Sequence, residues 1–117
     1  MDKYKKLERK LYEYPSNKLR LYNIEMWLNS YHNKESITID EYLHYLKQSR
    51  LKRELMEQNT RVECLMQLLD PTQKSLIELK YFSNKSIEEI SMIMNLSISR
   101  IYALKVNMLD AILKEYI

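Results

Sequence analysis

The sequence predicts an all-α protein, with a helical N-terminal half over residues 1–69 and a helix-turn-helix over residues 70–117. Three observations predict it. No glycine and only two prolines occur among 117 residues, which favours helices joined by short turns over glycine-shaped loops and strand corners. Apolar residues recur at steps of three and four, without the alternation a strand needs. Helix-start signatures at Asp70, Ser86 and Ser97 follow one another in the order a helix-turn-helix needs.

Residues 2–14 place Tyr4, Leu7, Leu11 and Tyr14 on one side and mixed charges on the other, an amphipathic helix expected to end at Pro15. Its cations Lys3, Lys5, Lys6, Arg9 and Lys10 suit either phosphate contact or a solvated face with favourable charge pairs. Ser16 is then expected to cap a second helix running to about Tyr31, with Leu19, Tyr22, Ile24, Met26, Trp27 and Leu28 as its apolar set and Trp27 as a core anchor. Residues 32–38 are polar and read as a loop.

From Ile39 to Leu69 the pattern fits one long helix or two nearly collinear ones, starting at Thr38 or Asp40. Thr60, followed by Glu63, is the candidate break. Leu51, Leu55, Gln58, Val62, Leu65 and Leu69 alternate steps of four and three, the seam of a coiled coil or of a helix pair. That seam either joins two copies of the chain, a homodimer through residues 39–69, or packs on the chain's own first helices. Cys64 lies among its apolar residues and is expected to be a small buried side chain.

The C-terminal stretch is the most heavily punctuated. Asp70 offers a carboxylate to the unpaired N–H groups of a helix start, Pro71 occupies the first helical position, where its missing N–H costs nothing, and Gln73 can bond back to the cap. Leu76, Ile77, Leu79, Tyr81 and Phe82 form an apolar set wider than one stripe, so this helix is expected to be covered on more than one side. Ser86 and Glu89 make a second capping box ahead of Ile87, Ile90, Ile93 and Met94, and the small Ser91 allows a following helix to cross closely. Asn95 suits the left-handed corner between two helices, and Leu96 plugs its inside. Ser97 caps the last helix. Its buried side reads Ile101, Leu104, Met108, Leu109 and Ile112, and its outward side Ser99, Arg100, Tyr102, Ala103, Val106 and Asn107.

These residues resemble the fourth region of bacterial sigma factors, a helix-turn-helix that binds promoter DNA. The resemblance rests on Leu79, Lys80, Tyr81 and Phe82, then Ser86, Glu88, Glu89 and Ile90, then Ser97, Ser99, Arg100 and Ile101, in register without gaps over about the last 45 residues. Where that family usually has glycine at its two turns, this chain has Asn84 and Asn95, both tolerant of positive φ. The resemblance implies double-stranded DNA as partner, with RNA polymerase as a second. In the major groove, Arg100 would form a bidentate contact to guanine, Ser97 and Ser99 would bond phosphate or base, Ile98 or Ala103 would touch a thymine methyl, and Tyr102 would reach backbone or base. Lys85, Asn84 and the N–H groups beside Ser86 would grip phosphate. Residues 1–69 do not resemble the promoter-melting and polymerase-clamping part of a full sigma factor. The layout, with Thr38-Ile39-Asp40-Glu41-Tyr42 and the arginine-rich helix after it, is closer to phage and prophage late-transcription regulators of the ArpU type.

Charge bounds the alternatives. The net charge of +3 permits nucleic-acid binding without demanding it. Residues 1–59 hold twelve Lys and Arg against nine Asp and Glu, whereas residues 60–117 hold seven of each. A neutral reading half holds DNA weakly alone, which leaves two rivals open: an adaptor that binds polymerase or a sigma factor without reading DNA, and a small phage packaging subunit. His32, His44 and Cys64 stand apart, so no metal site is expected, and the absence of glycine excludes a phosphate loop. Glu88 and Glu89 complement a helix start, so no catalytic residues, cofactor or enzymatic activity are expected. A single cysteine and the lack of a long apolar run suggest a cytoplasmic protein without a membrane partner.

Overall fold

The computed structural model describes residues 2–116. Among them are five α-helices and no strand: α1 Lys3–Asn29, α2 Ile39–Gln67, α3 Pro71–Ile77, α4 Ile87–Met94 and α5 Ile98–Tyr116, with α3 running into one π-helical turn, Glu78–Phe82. The all-α class is as expected. Contacts within the chain divide it into two compact units, one made of Met1–Glu13 with Val62–Ile117 and the other of Tyr14–Arg61.

The first helix does not end at Pro15. α1 continues through it to Asn29, so Ser16 lies inside the helix instead of starting a new one. A proline inside a helix removes one hydrogen bond and costs about 3 kcal/mol, but Leu7 and Leu11 before it and Ile24 and Leu28 after it are all buried. Each such side chain contributes roughly 1.5–3 kcal/mol, so packing outweighs the local penalty. Pro15→Ala is therefore expected to raise the thermal midpoint, with a gain of about 1–3 kcal/mol; an unchanged or lower melt would show that the ring makes contacts of its own.

In the unit Tyr14–Arg61, Ile24 and Leu28 of α1 meet Leu55 of α2, and Leu21, Trp27, Tyr45 and Leu51 pack against them. Asn17 donates to the Gln58 side-chain oxygen at 3.2 Å. The Trp27 ring lies 4.6 Å from Tyr31 and 4.5 Å from His44, so it anchors this cluster while remaining half-buried. Leu19, Tyr22 and Met26, expected inside, are exposed. Two helices share a single contact face, and an apolar set this wide cannot all be covered by it.

α2 is one uninterrupted helix, so Thr60 starts nothing new. Its beginning is a third capping box, with the Thr38 hydroxyl accepting from the Glu41 N–H at 3.1 Å and the Glu41 carboxylate accepting from the Thr38 N–H at 3.4 Å. Lys34 closes the approach, its ammonium 2.7 Å from Glu41. The seam is used inside the chain: Leu55 lies in the cluster above, and Val62, Leu65 and Leu69 are buried. Cys64 is exposed, contrary to expectation, because one residue before Leu65 it is turned about 100° from the buried line.

The other unit holds α3, α4 and α5, which pack on one another around Leu76, Ile77, Ile90, Ile101 and Met108. Asp70 and Gln73 form their capping box at 2.8 and 3.1 Å. The widened turn after α3 was not foreseen; in it the Ser83 N–H reaches back to the Glu78 carbonyl at 2.8 Å. The turn ends at Asn84, whose φ is 53°.

Candidate nucleic-acid interface

Local chemistry sets the corner between α4 and α5. Ser86 accepts from the Glu89 N–H at 3.2 Å while Glu89 accepts from the Ser86 N–H at 3.3 Å, which starts α4. The Ser86 N–H and hydroxyl, both donating to the Glu89 carboxylate, with Lys85 alongside, hold it below its ordinary range. α4 ends at Asn95, in the left-handed conformation at φ 55° and ψ 45°, which asparagine accepts at lower cost than other residues bearing a Cβ. The Leu96 N–H bonds the Ser91 carbonyl at 3.1 Å, and the Ser91 hydroxyl donates to the Leu96 carbonyl, so the small side chain closes the corner. The Ser97 hydroxyl then accepts from the Arg100 N–H at 3.2 Å and starts α5.

This corner gives α5 one covered and one bare side. Ile101, Met108, Leu109 and Ile112 are at most 1% exposed. Ser99, Arg100, Tyr102, Ala103, Val106 and Asn107 are all exposed, as are Ser97 and Ile98. Among the described residues the Arg100 side chain has no ion-pair partner; it borders a groove of about 720 Å³ lined by Pro71, Ser75, Glu78, Leu79, Ile93 and Leu96, among others. Ile93, expected on the inner face of α4, is 57% exposed at that groove.

The two remaining candidates are at the start of α4. The Lys85 ammonium lies 3.9 Å from Glu89, a solvated pair that leaves the cation accessible. Ser86 donates its hydroxyl to Glu89 at 3.1 Å, so its side chain is engaged in capping. Thus Ser97, Ile98, Ser99, Arg100, Tyr102 and Ala103 share one helix end, and Lys85 and Ser86 stand at another.

Sequence reasoning missed what backs this surface. The first turns of α1 clasp the helix-turn-helix. Tyr81, 2% exposed, donates its hydroxyl to Glu8 at 2.7 Å, and Lys105 lies 3.8 Å from the same carboxylate. Tyr4 donates to Asp110, and Tyr12 meets the Tyr81 ring edge-on at 4.8 Å while accepting from Lys80 at 3.1 Å. Lys105 thus reaches toward Glu8 while its ammonium lies 5.9 Å from the centre of the Tyr102 ring, leaving Arg100 as the cation without an ion-pair partner on this side. With residues 1–13 included, this unit carries eleven Lys and Arg against ten Asp and Glu. The only available signal was the amphipathic pattern of residues 2–14, which gives a buried stripe without saying what covers it.

Burial and the adjacent Glu8 carboxylate push the Tyr81 hydroxyl well above its ordinary pKa of 10.0. A raised folded pKa means a contribution present below pH 10 and lost as pH rises beyond it. Tyr81→Phe is expected to lower stability by about 1–3 kcal/mol at neutral pH. The gap between wild type and variant should narrow in melts above about pH 10, whereas a gap independent of pH would rule out the Glu8 bond as its source.

Among the described residues no three His, Cys, Asp or Glu side chains converge to hold a metal, and no helix is long and apolar enough to cross a membrane. Residues 59–105 match the family model described as sigma-70, region 4, a family of DNA-binding regulatory domains that bind DNA and RNA polymerase. The match covers the last turns of α2, all of α3 and α4, and the exposed start of α5, and ties this part of the chain to DNA-binding, transcription-related proteins. No curated protein and no solved structure matches the chain.

Proposed function

We propose that this chain is a sequence-specific DNA-binding transcription regulator that reads the major groove with the helix starting at Ser97. The observation that carries the reading is the bare side of α5, with an unpaired Arg100, inside the stretch matched by the sigma-70 region 4 model. Arg100 lies at the edge of that side for a guanine, Ser97, Ser99, Ile98, Tyr102 and Ala103 fill the approach, and Lys85 with the N–H groups near Ser86 takes phosphate. The layout supports a phage or prophage regulator of the ArpU type. A unit this close to neutral holds DNA with help from RNA polymerase or from a second copy through residues 39–69, where Ile39, Leu43 and Leu46 are exposed.

One observation favours a second reading. Met92 is 83% exposed on α4, and Ile93, 57% exposed, lines the groove beside α3, apolar surface that would suit an adaptor docking on polymerase or a sigma factor. Selection from a random duplex pool, followed by a salt titration, separates the two. The regulator enriches a defined sequence and loses affinity steeply with added salt; failure to bind any duplex at low salt would favour the adaptor.

A further inference from the structure

The bare side of α5 is chemically lopsided. Ser99, Ala103 and Val106 follow at steps of four and three along its outermost line, with Asn107 beside them and Tyr102 on the flank. Val106 is 46% exposed and Tyr102 50%. From Ser99 to Asn107 the line spans about 12 Å at 1.5 Å per residue, close to the width of the major groove. Between Ser99 and Asn107 the cations are Arg100 and Lys105, and Lys105 is engaged by Glu8 and lies over the Tyr102 ring; the stretch holds no carboxylate.

In the major groove the thymine methyl is the apolar group, adenine offers the acceptor and donor pair that a side-chain amide matches, and cytosine offers a donor that a carboxylate would take. We infer that this face selects a run of A·T pairs: Ala103 and Val106 against thymine methyls, Asn107 bidentate to an adenine, and Arg100 confining guanine to one edge. A guanine-rich site would need more forks than one arginine supplies, and a cytosine read by carboxylate would need an acid that residues 99–107 lack. Val106 and Asn107 thereby become specificity-determining residues. The inference rests on the DNA-reading proposal above and names the class of sequence read.

The test uses the full chain and the duplex it selects from a random pool. Replacing thymine by deoxyuridine removes the methyl alone and is expected to weaken binding about 3- to 30-fold. Val106→Ala should bind thymine and deoxyuridine duplexes with a smaller difference between them, and Asn107→Ala should lose preference at one adenine position, both with unchanged melts because the residues are exposed. Selection of a G·C-rich site, or equal binding of the deoxyuridine duplex by the wild type, would overturn this inference while leaving DNA reading intact. Failure to bind any duplex would overturn both.

Discussion

Leu11→Ala is expected to weaken the unit that holds the helix-turn-helix by about 2–5 kcal/mol, although Leu11 lies in the first helix, far along the chain from Arg100. The side chain is 0% exposed, one turn from Glu8 and beside Tyr12, the residues that bond and stack on Tyr81. Truncation leaves a cavity beneath α1, and the surrounding helices close it only in part. Domains of this size are commonly stable by only about 5–15 kcal/mol, so the loss takes a large share. A thermal melt should show a strongly lowered midpoint, and duplex binding should fall with it near that midpoint. Leu11→Met, which conserves volume, should cost less than about 1.5 kcal/mol. Equal melts for Leu11→Ala and wild type would mean that α1 is dispensable to the unit.

Arg100→Ala should do the opposite, leaving stability within about 0.5 kcal/mol and abolishing preference at the guanine position. An arginine fork on guanine O6 and N7 is worth about 1–3 kcal/mol of discrimination, or roughly 5- to 150-fold between selected and scrambled duplexes. Arg100→Lys retains the charge and loses the fork, so it should recover affinity for any duplex without recovering the preference. A wild-type footprint from Arg100→Ala would remove Arg100 from the reading set and leave the reading to the other exposed residues of α5.

The helix-turn-helix was legible because its determinants are local. Asp70, Ser86 and Ser97 cap helices within three residues of themselves, and Asn84 and Asn95 take positive φ by virtue of their own short polar side chains. The N-terminal half was less so, since its outcome depends on which apolar residues find cover. Pro15 looked like a terminator because its local penalty is visible and the burial on either side is not. Cys64 and Leu19 look apolar enough to be inside, but the shared face of two helices decides which residues enter it. The bonds from Glu8 to Tyr81 and Lys105 join residues more distant than any sequence period reaches.

Those same distant bonds impose an order on synthesis. The partners of Tyr4 and Glu8 include Asp110 and Lys105, so the stripe of Leu7 and Leu11 emerges from the ribosome long before its cover exists. Capped helices form within microseconds of leaving the tunnel, but closure of this unit waits for nearly a hundred further residues. A nascent chain in that interval carries the amphipathic start of α1 without the α5 partners of Tyr4 and Glu8.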